Sequence, residues 1–156
     1  VPTFKPLYAT AASLTVTLNS LANNTANSSV VIDNGTDLND DLLVHVQVTA
    51  ASSGVSATGY VEVCVHPSVD DSTSFAGTTA TAQASGITKR VSGFKLAGRI
   101  PLTANSQVNE LSFSLASLFG GTMPKRCMVS IENKSGAALA SSGNFTKVQG
   151  AQYQSV

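Results

Sequence analysis

The stretch that decides the fold is Gly59 to Ser72, GYVEVCVHPSVDDS. Val61, Val63 and Val65 alternate with Tyr60, Glu62, Cys64 and His66. Successive side chains of a strand point to opposite faces, so this period of two describes a strand with one apolar face. Pro67 ends it by removing a backbone donor. The same pattern stands in LLVHVQVTA, where Val44, Val46 and Val48 point inward and His45, Gln47 and Thr49 outward. It recurs at Leu14, Val16 and Leu18, at Leu111, Phe113 and Leu115, and at Val129 and Ile131. VVIDNG reads as a short strand closed by an Asn34-Gly35 turn. KLAGRIPL and the closing NFTKVQGAQYQSV complete a set of about eight short strands, with no amphipathic helix.

Short alternating strands of this kind predict a single all-β domain, a jelly-roll-like β-sandwich spanning 13–156. Residues 1–12 read as an extended N-terminal arm. Pro2 and Pro6 exclude a helix, and Phe4, Leu7 and Tyr8 need a surface to pack on, in this chain or in a neighbour. Residues 67–94 carry no strong periodicity, and long loops of that kind often serve a function.

Composition narrows the possible roles. The 156 residues carry nine Lys plus Arg and nine Asp plus Glu, a net charge of zero. A nucleic-acid partner is therefore not expected, because such binding draws on a basic excess. No run approaches the ~18 apolar residues of a membrane helix, so no membrane partner is expected either. Charged residues make up only 12% of the chain. A neutral polar surface suits close subunit packing, since no charge has to be desolvated at the contact.

The chemistry-bearing residues admit sharp and plain readings. Pairing 43–49 with 60–66 would gather His45, Cys64 and His66 on one face, with Glu62 nearby. Imidazole and thiolate are zinc ligands. Strand alternation alone produces the same spacing, so the favoured reading is a polar row facing solvent or an interface, with no metal and no cofactor. A Cys–His nucleophile would need an orienting group and an oxyanion hole, for which no motif is present. Cys64 and Cys127 fall on opposite sides of their strands, which predicts two free thiols. Asp37, Asp40 and Asp41, and Asp70 with Asp71, read as turn and strand-edge residues. Lys89-Arg90 could meet carboxylates on a neighbouring subunit. Tyr60, Phe75 and Tyr153 are too scattered to make a good sugar-stacking patch. The candidate interface is therefore Phe4, Leu7, Tyr8, Asp70, Asp71, Phe75, Lys89 and Arg90, and no residue is assigned to catalysis.

The C-terminal half runs KLAGRIPL, FSLASLFGG, MPKRCMVSIENKSGAAL and NFTKVQGAQ. With PTFKPLYATAASLTVTLNSLANN at the start and GYVEVCVHPSVDDSTSF in the middle, this layout resembles small β-rich virion proteins of tailed bacteriophages. ENKSGAAL (132–139) is its most specific element. The resemblance implies a structural part of a particle, present in the virion and assembled in the host bacterial cytoplasm. A capsid decoration (cement) protein, homo-oligomeric and bound to the major capsid protein or other virion subunits, is the first expectation. A fibre, neck or tail-tip module recognising a protein or a cell-surface glycan is the second. The resemblance implies no enzymatic activity.

Overall fold

The computed structural model describes residues 4–68, 75–76, 85–86 and 93–155. In chain order its elements are β1 (Phe4–Tyr8), β2 (Ala12–Ser13), β3 (Thr25–Ser28), β4 (Ile32–Asp33), α1 (Asn34–Asp37), β5 (Asp41–Thr49), β6 (Tyr60–Pro67), β7 (Lys95–Pro101), β8 (Val108–Ser114), α2 (Leu115–Leu118), β9 (Arg126–Lys134) and β10 (Phe145–Ser155). No helix among the described residues is long and apolar enough to cross a membrane.

All pairings between these strands are antiparallel and form two sheets. Sheet A has the order β1-β10-β5-β8, with β2 on the same edge of β10 as β1. Sheet B has the order β3-β9-β6-β7, with β4 on the same edge of β9 as β3. Taking β1 with β2, and β3 with β4, as two interrupted strands leaves eight segments. Their orders are first–eighth–third–sixth and second–seventh–fourth–fifth, which is jelly-roll topology. The expected all-β, jelly-roll-like sandwich is therefore what the chain forms.

The valine faces meet between the sheets. Val44, Val46 and Val48 of sheet A and Val61, Val63 and Val65 of sheet B are all fully buried in one core cluster. Leu115, Cys127, Val129 and Ile131 join them there. Burying each such aliphatic side chain is worth about 1.5–3 kcal/mol, so this face dominates the stability.

Three expectations need correction. β5 and β6 do not pair; they lie in opposite sheets. The connection between them crosses the sandwich edge at Gly59, where a Cβ would lie 2.4 Å from the Leu102 carbonyl oxygen and 2.7 Å from that of Ser135. Only a residue without a side chain passes there. Ser13–Leu18 also alternates as expected, with Leu14 and Leu18 buried, yet only Ala12–Ser13 joins a ladder. Its backbone changes sheets instead. Leu14 N–H donates to the Thr146 carbonyl of sheet A, while the Thr17 carbonyl accepts from Asn27 of sheet B. Periodicity records burial, and burial here does not require pairing. VVIDNG likewise reduces to the two-residue β4, because the Asp33 carboxylate accepts from Gly35 N–H and starts the single turn of α1.

Candidate functional site

The outer faces of the two sheets are built differently. On sheet B, β6 and β9 carry Glu62, Cys64, His66, Met128, Ser130 and Glu132 away from the core. Cys64, His66 and Met128 are nevertheless 0% exposed, and Ser130 1%. Among the described residues, Ala76 and Phe94 lie against this row, Phe75 lies beside its end, and Ser85 and Gly86 meet Asn27 at the β3 edge of the sheet. Ser68 bridges Phe75, which is 5% exposed, and Asn27 bridges Ser85. The polar row expected to face solvent or a partner is thus covered by the chain itself.

His66 fastens that cover. Its Nδ1 lies 2.9 Å from the Ala76 carbonyl oxygen and its Nε2 2.7 Å from Ser130 Oγ. A carbonyl only accepts, so Nδ1 carries a proton and donates it to Ala76, while Nε2 meets the serine hydroxyl. The ring also stacks at a tilt on Phe94, with centroids 5.7 Å apart. Glu62 and Glu132 stand directly opposite each other, and each is neutralised, by Arg99 at 3.1 Å and Lys134 at 2.8 Å. The Cys64 thiol reaches Glu62 at 3.8 Å. The row in GYVEVCVHPSVDDS is therefore an ion pair, a buried thiol and a clasp.

His45 belongs to the opposite sheet, so the structure does not bring His45, Cys64 and His66 together. Among the described residues, no group of three or more His, Cys, Asp or Glu is placed to hold a metal. Neither cysteine is in a disulfide, and both are buried. Burial pushes the Cys127 thiol up to about 12, since no charge compensates a thiolate in the core. The loop carboxylates serve the backbone. Asp41 accepts from the N–H groups of Leu42 and Ala116, and Asp40 from that of Tyr153.

The outer face of sheet A is open. Across it run Ser112, His45 and Lys147 in one register row, and Ser114, Leu43 and Gln149 in the next. His45 Nδ1 lies 2.8 Å from Ser112 Oγ and Nε2 3.5 Å from Glu110 Oε2. Lys147 Nζ sits 5.2 Å from the centroid of Phe145.

Beyond the Asp41–Ala151 pair, β10 outruns β5 and pairs only with β1. The result is a two-stranded ribbon made of both ends of the described chain. Phe4, Tyr8 and Tyr153 are on the same side of it as Phe145, and are 64%, 56% and 68% exposed. Leu7, on the other side, is also exposed. Ala9 N–H donates to the Gly150 carbonyl, so alternation turns the nitrogens of Phe4, Pro6 and Tyr8 to the free edge. Pro6 has no hydrogen to offer there, which blunts the edge against strand addition. The ribbon therefore presents side chains, not a hydrogen-bonding edge.

Of the expected interface residues, Phe4, Leu7 and Tyr8 gather on this ribbon, Phe75 is buried beside sheet B, and Asp70, Asp71, Lys89 and Arg90 lie outside the described residues. Tyr153 completes the ribbon. Its only sequence signal was an aromatic residue continuing the odd-numbered positions of the last strand. Tyr60 lies on sheet B under Arg99, 4.8 Å from the ring centroid, so it shares no patch with Tyr153.

No family model and no curated protein matches the chain. Distant likenesses exist among solved structures. The EclA C-terminal domain, described as a sugar-binding protein, is 10% identical with a TM-score of 0.34, over 95% of this chain and 83% of that one. The cowpea mosaic virus empty virus-like particle gives 11%, 0.28, 99% and 83%. Carbohydrate-binding modules of the β-sandwich superfamily give 11%, 0.30, 97% and 56%. At these values the likenesses carry no argument about ligand or partner, and the resemblance to tailed-phage virion proteins has no family model behind it.

Proposed function

We propose that this protein is a non-enzymatic structural component of a bacteriophage particle, a capsid decoration protein that bridges and stabilises neighbouring major capsid subunits. The observation that carries the proposal is the ribbon: exposed aromatic side chains on the paired strands β1 and β10, with the free edge of β1 blunted by Pro6. Large exposed apolar groups gathered at one place mark an interaction surface. The jelly roll holds the ribbon, and a charged share of only 12% lets a broad contact form while desolvating few ions.

Imaging virions that carry a labelled copy tests the location. Label over the whole head is expected; label confined to the neck, tail or a projecting tip overturns decoration. Removing residues 1–8 tests the device. No residue of β1 belongs to the core cluster, so the truncated protein is expected to fold and to lose attachment to the particle. Attachment at undiminished strength refutes the ribbon's role. Particles lacking the protein are expected to burst at lower temperature.

A second reading, a module that binds a cell-surface glycan from a fibre or tail tip, is favoured by one feature. The open face of sheet A holds a concave depression of about 500 Å³.

A further inference from the structure

That depression is lined by Leu43, His45, Ser112, Ser114, Lys147 and Gln149, among others. Its volume falls within the ~300–1,000 Å³ of small-ligand sites. Its walls are mostly apolar, with several neutral hydrogen-bonding groups set around them. No carboxylate lines it. Glu110 is turned to His45 Nε2, and His45 Nδ1 is held on Ser112. Lys147 is the one permanently charged side chain in the lining, and it makes no ion pair among the described residues. Its ammonium rests on the Phe145 ring, which keeps the cation on this face.

These features select a ligand class. An ammonium without a counter-ion beside apolar walls favours an anion, and a carboxylate accepts charge-assisted hydrogen bonds from it. The hydroxyls of Ser112 and Ser114 and the amide of Gln149 exceed what one carboxylate uses. Each has one partner within the chain, His45 Nδ1 at Ser112, Ser117 N–H at Ser114 and the Ala9 carbonyl at Gln149. A bound alkyl chain would cover the hydrogen-bonding capacity that remains, which costs free energy. A sugar ring supplies hydroxyls for them and C–H faces for Leu43. We propose that the depression binds a carboxylate-bearing sugar residue, a hexuronate, with its carboxylate at Lys147 and its hydroxyls at Ser112, Ser114 and Gln149. The proposal rests on the glycan-module reading and is independent of the ribbon.

The test is an amide NMR titration of the whole chain with galacturonate, galactose and octanoate. Galacturonate is expected to shift amides of residues 43–45, 112–114 and 147–149, and galactose to bind at least about tenfold more weakly. Lys147→Gln is expected to weaken galacturonate by about tenfold or more, and Lys147→Arg to retain it. The Lys147 side chain lies on an open face outside the core, so both variants keep the fold, which unchanged unfolding midpoints will confirm. Equal binding of galactose and galacturonate, tighter binding of octanoate, indifference to Lys147→Gln, or no response to any of the three overturns the site. A glycan that shifts amides elsewhere overturns the site while leaving the glycan-module reading standing. Particle attachment is expected to be unchanged in Lys147→Gln, so failure here does not bear on the ribbon.

Discussion

Each sheet carries one histidine on its outer face, and each histidine meets a serine of a neighbouring strand. His66 reaches Ser130 at 2.7 Å and His45 reaches Ser112 at 2.8 Å. The local chemistry is nearly the same, yet the setting is opposite. His66 is fully buried and holds Ala76 of the cover, while His45 lies on the open face, its side chain 33% exposed. The contrast shows that a polar strand face does not declare its own exposure. What lies over the sheet decides whether the same hydrogen bond fastens the fold or merely arranges a surface.

The strongest way to break this comparison is to remove the buried ring. His66→Ala leaves the Ala76 carbonyl and the Ser130 hydroxyl without their partner and opens a cavity beneath Phe94. A loss of about 3–5 kcal/mol is expected in urea unfolding. The same variant should sharpen the picture of the cover. A thiol reagent is expected to reach Cys64, on the covered face, much faster than Cys127, which faces the core. Equal rates at the two sites would mean that the variant unfolds globally and that His66 does not act on the cover.

Cys127 supplies the next effect, from between the two faces. Its folded-state value lies at about 12, above the ordinary 9.0. Below the ordinary value both states keep the proton, so the group has no effect on stability. Between the two values the unfolded chain loses the proton and the folded chain keeps it. Stability is therefore present below pH ~9 and falls as pH rises towards the folded value, by about 1.4 kcal/mol per unit from this group. Other groups titrate in that range, so the comparison is with Cys127→Ala, whose unfolding curve is expected to fall less steeply over the same window. Parallel curves would show that the thiol is not buried as described.

The sequence made the inner faces legible and left the outer ones obscure. The alternation of Val44, Val46 and Val48 and of Val61, Val63 and Val65 named the core, and the parity of Cys64 and Cys127 foretold two thiols outside any disulfide. Pairing was harder. Strands adjacent in sequence pair or neighbour about two-thirds of the time, and β5 and β6 are an exception because the jelly roll sends the chain across the sandwich between them. The burial of Cys64 and His66 was illegible for a physical reason: a satisfied buried imidazole needs only a carbonyl and a hydroxyl, groups that leave no pattern in a sequence. The ribbon was half legible. Phe4, Leu7 and Tyr8 read as an arm seeking a surface, but nothing in NFTKVQGAQYQSV announced that β10 would outrun β5 and meet them.

The smallest expected effect is also the control for the whole comparison. His45→Ala removes the contacts to Ser112 and Glu110, and both partners are on the open face, where water replaces what is lost. The His45–Glu110 contact at 3.5 Å joins side chains 33% and 65% exposed, so screening reduces it further. Stability is expected to change by no more than about 0.5 kcal/mol. The double variant with His66→Ala should give the sum of the two single losses, because the histidines act on opposite faces with the full core between them. A loss at His45 comparable to that at His66 would mean that the outer face of sheet A is covered in solution, by another copy of the chain, and the distinction between a fastened face and an open one would fall.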